Sequence, residues 1–144
     1  MISRRELAVL LPALAAAQET KQPAAAKPEA KQPSACFPYE QMPVKASGQN
    51  KQRAVFSGAT HSGYHVDMHL TELAPGLAPH AEHRHVHEEM VMVQRGTLEV
   101  TIEGKSTKLG PGSVGYVASN EMHGWKNIGD GPCEYFVLAL GRDA

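Results

Sequence analysis

The stretch HRHVHEE, residues 83–89, sets three histidines and two glutamates into seven positions. It is followed by the apolar run Met90-Val91-Met92-Val93 and by Gly96. Seven of the eight histidines lie between positions 61 and 87, too local a bias for scattered surface decoration. Imidazole and carboxylate at such spacing are donors for a transition metal. In an extended strand residues of equal parity share a face, so His83, His85 and Glu89 can converge where a strand bends around them. A fourth donor stands near the other end of the chain, His123 in EMHGWKN. Three neutral imidazoles and one carboxylate form a mixed nitrogen–oxygen set that suits Mn, Fe, Ni, Co or Zn better than Ca or Mg. With one anionic ligand, a divalent ion keeps net positive charge and can accept an anionic or enolate-like molecule.

The elements that must position these donors are strands. RAVFSG, YHVDMHL, EEMVMVQ, TLEVTIEG, KSTKLGPG, SVGYVAS, MHGWKN and CEYFVLAL are short, β-rich and punctuated by glycine. Many such strands at close spacing predict an all-β sandwich or barrel. Gln94-Arg95-Gly96 reads as a tight hairpin between two of them. In YHVDMHL the alternation places Tyr64, Val66, Met68 and Leu70 inward. His65, Asp67 and His69 then form a polar outer face, with a second metal site as the alternative. Val91 and Val93 share the parity of Glu89 and would wall its pocket with hydrocarbon. Trp125 shares the parity of His123 and fits either core or pocket lining. His80, His87 and Glu88 flank the donors as supporting or exposed groups. No acid/base residue can be assigned from the sequence.

Two ordered motifs resemble those of the cupin superfamily, small jelly-roll β-barrels. The family's first signature, G(x)5HxH(x)3-4E(x)6G, corresponds to His83-x-His85-x3-Glu89-x6-Gly96, with Gly76 one residue further upstream than the pattern places its glycine. The second, G(x)5PxG(x)2H(x)3N, falls on Gly112, Ala118, Asn120, His123 and Asn127. Ala118 replaces the proline and Asn120 the second glycine; Asn tolerates positive φ, so the turn can survive. Asn127, Gly96 and Gly112 read as structural. The resemblance spans Val55 to Leu140 and implies a single-domain cupin jelly roll with His83, His85, Glu89 and His123 as metal ligands. It further implies open coordination positions for a small-molecule substrate. The expected function is therefore a small-molecule metalloenzyme, leaning to a dioxygenase-like oxidoreductase, with decarboxylase or isomerase chemistry beside it. The alternatives are a metal-dependent small-ligand binding module without turnover, and a storage or structural barrel.

The N-terminus has a different character. MISRRELAVLLPALAAAQ combines Arg4-Arg5, an apolar stretch from Leu7 to Leu14 and Ala15-Ala16-Ala17 before Gln18, an export signal over 1–17 with twin-arginine features. Residues 18–35 carry three prolines and no apolar period, which reads as a flexible tether. The domain is then 36–144. A net charge of −1 with no basic stripe argues against nucleic acid as a partner, and no membrane contact is expected once the signal is removed. A second copy of the chain is a candidate partner. Cys36 and Cys133, the two cysteines, invite a disulfide in an exported protein.

Overall fold

The computed structural model describes residues 30–141; the expected export signal and most of the tether lie outside them. Among the described residues, a 3-10 turn at Tyr39–Gln41 is followed by nine strands. These are β1 (Val44–Ser47), β2 (Asn50–Ala59), β3 (His65–Leu73), β4 (Glu88–Arg95), β5 (Leu98–Ile102), β6 (Lys105–Leu109), β7 (Val114–Val117), β8 (His123–Asn127) and β9 (Cys133–Gly141). They pair antiparallel into a six-stranded sheet, β1-β2-β3-β9-β4-β7, and a three-stranded sheet, β6-β5-β8. The two sheets make a jelly-roll β-barrel. β1 is the strand that the sequence pattern did not announce, because VKAS has one exposed residue after another and no alternation to detect.

The barrel core is Leu73, Val91, Val93, Leu98, Val100, Val117, Trp125, Cys133, Tyr135 and Val137. Tyr135, Leu73 and Leu98 are fully buried. Directly paired residues in an antiparallel sheet project to the same face, so the register fixes which side of β3 is inside. Leu73 pairs with Cys133, Thr71 with Tyr135, His69 with Val137 and Asp67 with Ala139. His65, Asp67 and His69 therefore share the core face, and Val66, Met68 and Leu70 lie on the outside of the large sheet. This reverses the facing read from the alternation. The reason is that the outer face is also covered. Phe37 stacks on Phe56 with ring centroids 5.6 Å apart, and the Arg53 guanidinium sits 4.2 Å over the Tyr39 ring. Val66 and Leu70 are buried on that side, so both faces of β3 carry apolar burial and periodicity alone cannot orient the strand. Tyr64 precedes the strand and is exposed.

A second correction concerns residues 94–96. β4 pairs with β7 and β9, whereas β5 pairs with β6 and β8. Gln94-Arg95-Gly96 is thus a corner passing from one sheet to the other, not a hairpin. A bulge between Val93 and Arg95 opposite Glu134 starts the bend. Gly96, at φ +82°, completes it so close to β9 that a Cβ would stand 2.7 Å from both Cys133 Cα and Pro132 O. The tight hairpin lies one connection later, where Ile102 faces Lys105 and Glu103 and Gly104 adopt φ of 45° and 75°. Positive φ at both central positions is the type I′ arrangement that matches strand twist.

The cysteines are not joined. Cys133 points into the core and is fully buried, while Cys36 is free and exposed on the segment before the 3-10 turn. Burial pushes the Cys133 thiol up to about 11, which keeps it protonated and unreactive. Thiol labelling of the native protein at pH 8 should therefore modify Cys36 rapidly and Cys133 only after unfolding. Protection of both thiols until reduction would restore the disulfide.

Candidate metal centre

The site is assembled around a bridge between two distant segments. His83 and His123 exchange backbone hydrogen bonds in both directions, at 3.0 and 2.9 Å, so the loop after β3 is clamped to the first residue of β8. The Asn120 amide donates to the His85 carbonyl at 2.8 Å. Asn120 has φ +63°, so it takes the left-handed conformation expected of it in place of glycine. Asn127 closes the other end of β8. Its side-chain amide donates to Leu73 O at 2.9 Å and Gly131 O at 2.8 Å, and its side-chain oxygen accepts from Gly129 N at 2.9 Å. Its backbone oxygen accepts from Gly76 at 3.0 Å, tying the start of the first motif to the end of the second.

These anchors bring the four candidate donors together. Ring nitrogens of His83, His85 and His123 lie within 4.8 Å of one another. Glu89 Oε2 stands 3.3 Å from His123 Nε2 and 3.5 Å from His85 Nε2. Its other oxygen is 3.8 Å from His87 Nε2. The structure also brings His87 in as a group with His85 and Glu89, its ring stacked on His85 with centroids 3.6 Å apart. Odd parity shared with Glu89 is the signal that marks His87 in the sequence. His80 meets His83 edge-on at 4.3 Å. Glu88 turns to the outer face, where it raises the pKa of Tyr116 by hydrogen bonding. Trp125 is core and stands 5.2 Å from the His123 ring. Among the described residues, His65, Asp67 and His69 do not form a ligand group of their own.

Hydrogen bonding decides which ring nitrogens are available. His85 Nδ1 lies 2.8 Å from His87 O, and His123 Nδ1 lies 2.8 Å from Glu121 O. A carbonyl can only accept, so each Nδ1 carries hydrogen and each Nε2 presents a lone pair in the neutral ring. Burial, then the neighbouring His80, His123 and His85, hold the pKa of His83 below the ordinary histidine value, which keeps that ring neutral near pH 7.

Whether a metal fits can be read from the unpaired atoms. Among the described residues, the buried side-chain polar atoms without a partner are His83 Nδ1, His85 Nε2, Glu89 Oε2, His123 Nε2 and Tyr135 Oη. Four of these five belong to the four candidate donors, one atom from each. An unpaired buried polar group costs about 1–3 kcal/mol, so the cluster is expensive as bare protein. Metal–nitrogen bonds of about 2.0–2.1 Å place neighbouring ligands roughly 3 Å apart, close to the 3.3 and 3.5 Å that separate Glu89 from two of the rings. The donor set can hold a divalent ion.

Comparison with known proteins agrees with this architecture. The cupin domain family matches residues 69–139, and the chain belongs to the cupin superfamily. Among curated proteins none matches the chain in sequence. An RmlC-like cupin from Shewanella frigidimarina superposes with a TM-score of 0.62 at 18% identity, over 78% of this chain and 93% of that one. KdgF from Halomonas sp. gives 0.64 at 18%, over 77% and 97%. A cupin-superfamily sugar phosphate isomerase from Silicibacter pomeroyi gives 0.59 at 16%, over 73% and 74%. Identities this low establish the barrel and nothing about the reaction.

Asn127 supports both the turn at 128–131 and the end of β3 from a wholly buried position. Asn127→Ala is expected to cost about 3 kcal/mol or more, since each orphaned buried group costs about 1–3 kcal/mol. The exposed neighbour Lys126→Ala should be near neutral. Urea denaturation compares them; a loss below about 1 kcal/mol for Asn127→Ala would contradict the clamp.

Proposed function

We propose that the chain is an exported, metal-dependent enzyme for a small oxygen-rich molecule, with a divalent transition metal held by His83, His85, Glu89 and His123. The observation that carries this reading is the set of four buried, unpaired donor atoms, one from each of these residues. The bound ion would supply a Lewis-acid centre able to polarise a substrate oxygen. The chain supplies the rest. Backbone carbonyls of His87 and Glu121 hold the rings of His85 and His123 in the ligating tautomer. Val91, Val117, Val137 and Trp125 form a dry wall behind the donors, and burial far raises the pKa of Tyr135, so its hydroxyl stays a neutral donor.

The β3 side of the same concave face separates two kinds of chemistry. β3 turns His65, Asp67, His69 and Thr71 inward, and a polar wall suits a polyhydroxylated substrate and proton movement. Isomerase- or decarboxylase-type chemistry is therefore favoured over the dioxygenase-type chemistry that the sequence suggested. The sugar phosphate isomerase among the structural neighbours is consistent with this preference without establishing it. The apolar wall of Val91 and Val93 keeps dioxygen chemistry as the second reading.

Two measurements test the proposal. Metal analysis should find about one transition-metal ion per chain, lost from the His85→Ala/His123→Ala double variant and retained in His65→Ala and His69→Ala. Full occupancy in the double variant would remove the assignment. Reconstitution with Fe, Mn, Ni or Zn, followed by screening enediols, hydroxyketones and β-diketones, should give turnover without oxygen uptake. Oxygen consumption would favour the dioxygenase reading, and spectral perturbation without turnover a binding module.

A further inference from the structure

The interior of the barrel contains a second imidazole–carboxylate arrangement, separate from the four donors. His69 Nδ1 lies 3.1 Å from Asp67 Oδ1. A carboxylate can only accept, so Nδ1 carries hydrogen and Nε2 of the neutral ring remains an acceptor. Both side chains are partly accessible, at 22% and 39%. The register places them on the same face as Glu89, two strands away. Asp67 pairs with Ala139, and Ala139 with Glu89; His69 pairs with Val137, and Val137 with Val91. Two strand spacings of about 4.8 Å put the Asp67 and Glu89 backbones roughly 10 Å apart on one concave face. The residue between them is Ala139, whose small side chain puts no bulky or charged group between the two carboxylates. On the other side His69 pairs with Ala54 of β2, again a small and uncharged neighbour.

We propose that His69, its ring held by Asp67, is the proton-transfer residue for a small polyhydroxy carbonyl compound bound at the His83/His85/Glu89/His123 centre. This rests on the function proposed above and names its substrate class. His69 Nε2 takes the proton from the carbon beside the substrate carbonyl. The C–H electron pair becomes the C=C bond of an enediolate, and the carbonyl π pair moves to oxygen. The ring is then an imidazolium facing the Asp67 carboxylate. It returns the proton to the adjacent carbon while the hydroxyl proton passes between the two oxygens, so the product is an isomer of the substrate and no co-reactant is consumed. His69 is the catalytic residue and Asp67 a positioning residue, because Asp67 acts through the ring.

The test uses the zinc-loaded protein in D2O, with dihydroxyacetone and fructose as probes and deuterium uptake at the carbon beside the carbonyl read by mass spectrometry. Wild type should exchange at least one probe. His69→Ala should lose about 100-fold or more of that rate with zinc content unchanged, and added imidazole should restore part of it. Exchange at the wild-type rate in zinc-loaded His69→Ala overturns the proposal. So does zinc-loaded wild type that exchanges neither probe, while leaving the metal reading intact. A wild-type chain that binds no divalent ion removes the centre and this proposal with it. Ring 15N chemical shifts give a readout independent of turnover. His69 should carry hydrogen at Nδ1 in wild type and shift toward the Nε2–H form in Asp67→Asn. An unchanged tautomer would overturn the positioning role of Asp67.

Discussion

Four histidine and glutamate atoms are buried together in the barrel with no partner among the described residues, and much of the surrounding structure serves to keep them so. His83, His85, Glu89 and His123 each direct one unpaired atom into the same space. Folding around such a cluster is unfavourable unless something else satisfies the atoms. The fold enforces the cluster with main-chain contacts. The reciprocal His83–His123 bridge and the Asn120–His85 hydrogen bond fix the backbones, and the carbonyls of His87 and Glu121 fix two of the rings. None of these devices depends on a flexible side chain reaching across a gap.

The two walls of the interior divide the work. β9, β4 and β8 contribute valine, tyrosine and tryptophan, a dry surface of the kind that strengthens electrostatic contacts by excluding water. β3 contributes histidine, aspartate and threonine on the same concave face. Along that face, hydrocarbon over β9 and β4 gives way to polar groups over β3. The large sheet can devote an inner face to polar groups because its outer face has apolar cover of its own, from Phe37 on Phe56 and from buried Val66 and Leu70.

The same double burial explains what was and was not legible in the sequence. The fold class could be read from short glycine-punctuated strands, and the convergence of His83, His85, Glu89 and His123 from identity and spacing, because a shared site demands particular residues at particular intervals. The conformation of Asn120 followed from its chemistry. The facing of β3 could not be read, since alternation tells two faces apart only when one of them meets water. The corner at Gly96 looked like a hairpin because a tight turn and a sheet-to-sheet crossing both call for a positive-φ glycine; what distinguishes them is the approach of Cys133, a contact across 37 residues of sequence. Cys36 and Cys133 could be counted but not located, because pairing depends on where each thiol points. The sequence offered His65, Asp67 and His69 as a polar outer face or a second metal site, and it is the register with β9 that places them inside.

The central claim is that the four unpaired atoms are ligands of one ion, and X-ray absorption at the metal edge of the purified, metal-loaded protein tests it most directly. The account predicts a first shell of nitrogen and oxygen at about 2.0–2.2 Å, with outer-shell scattering from three imidazoles. That imidazole signature should weaken stepwise in His123→Ala and in the His85→Ala/His123→Ala pair. A shell containing sulfur, or an oxygen shell without imidazole scattering, would contradict it.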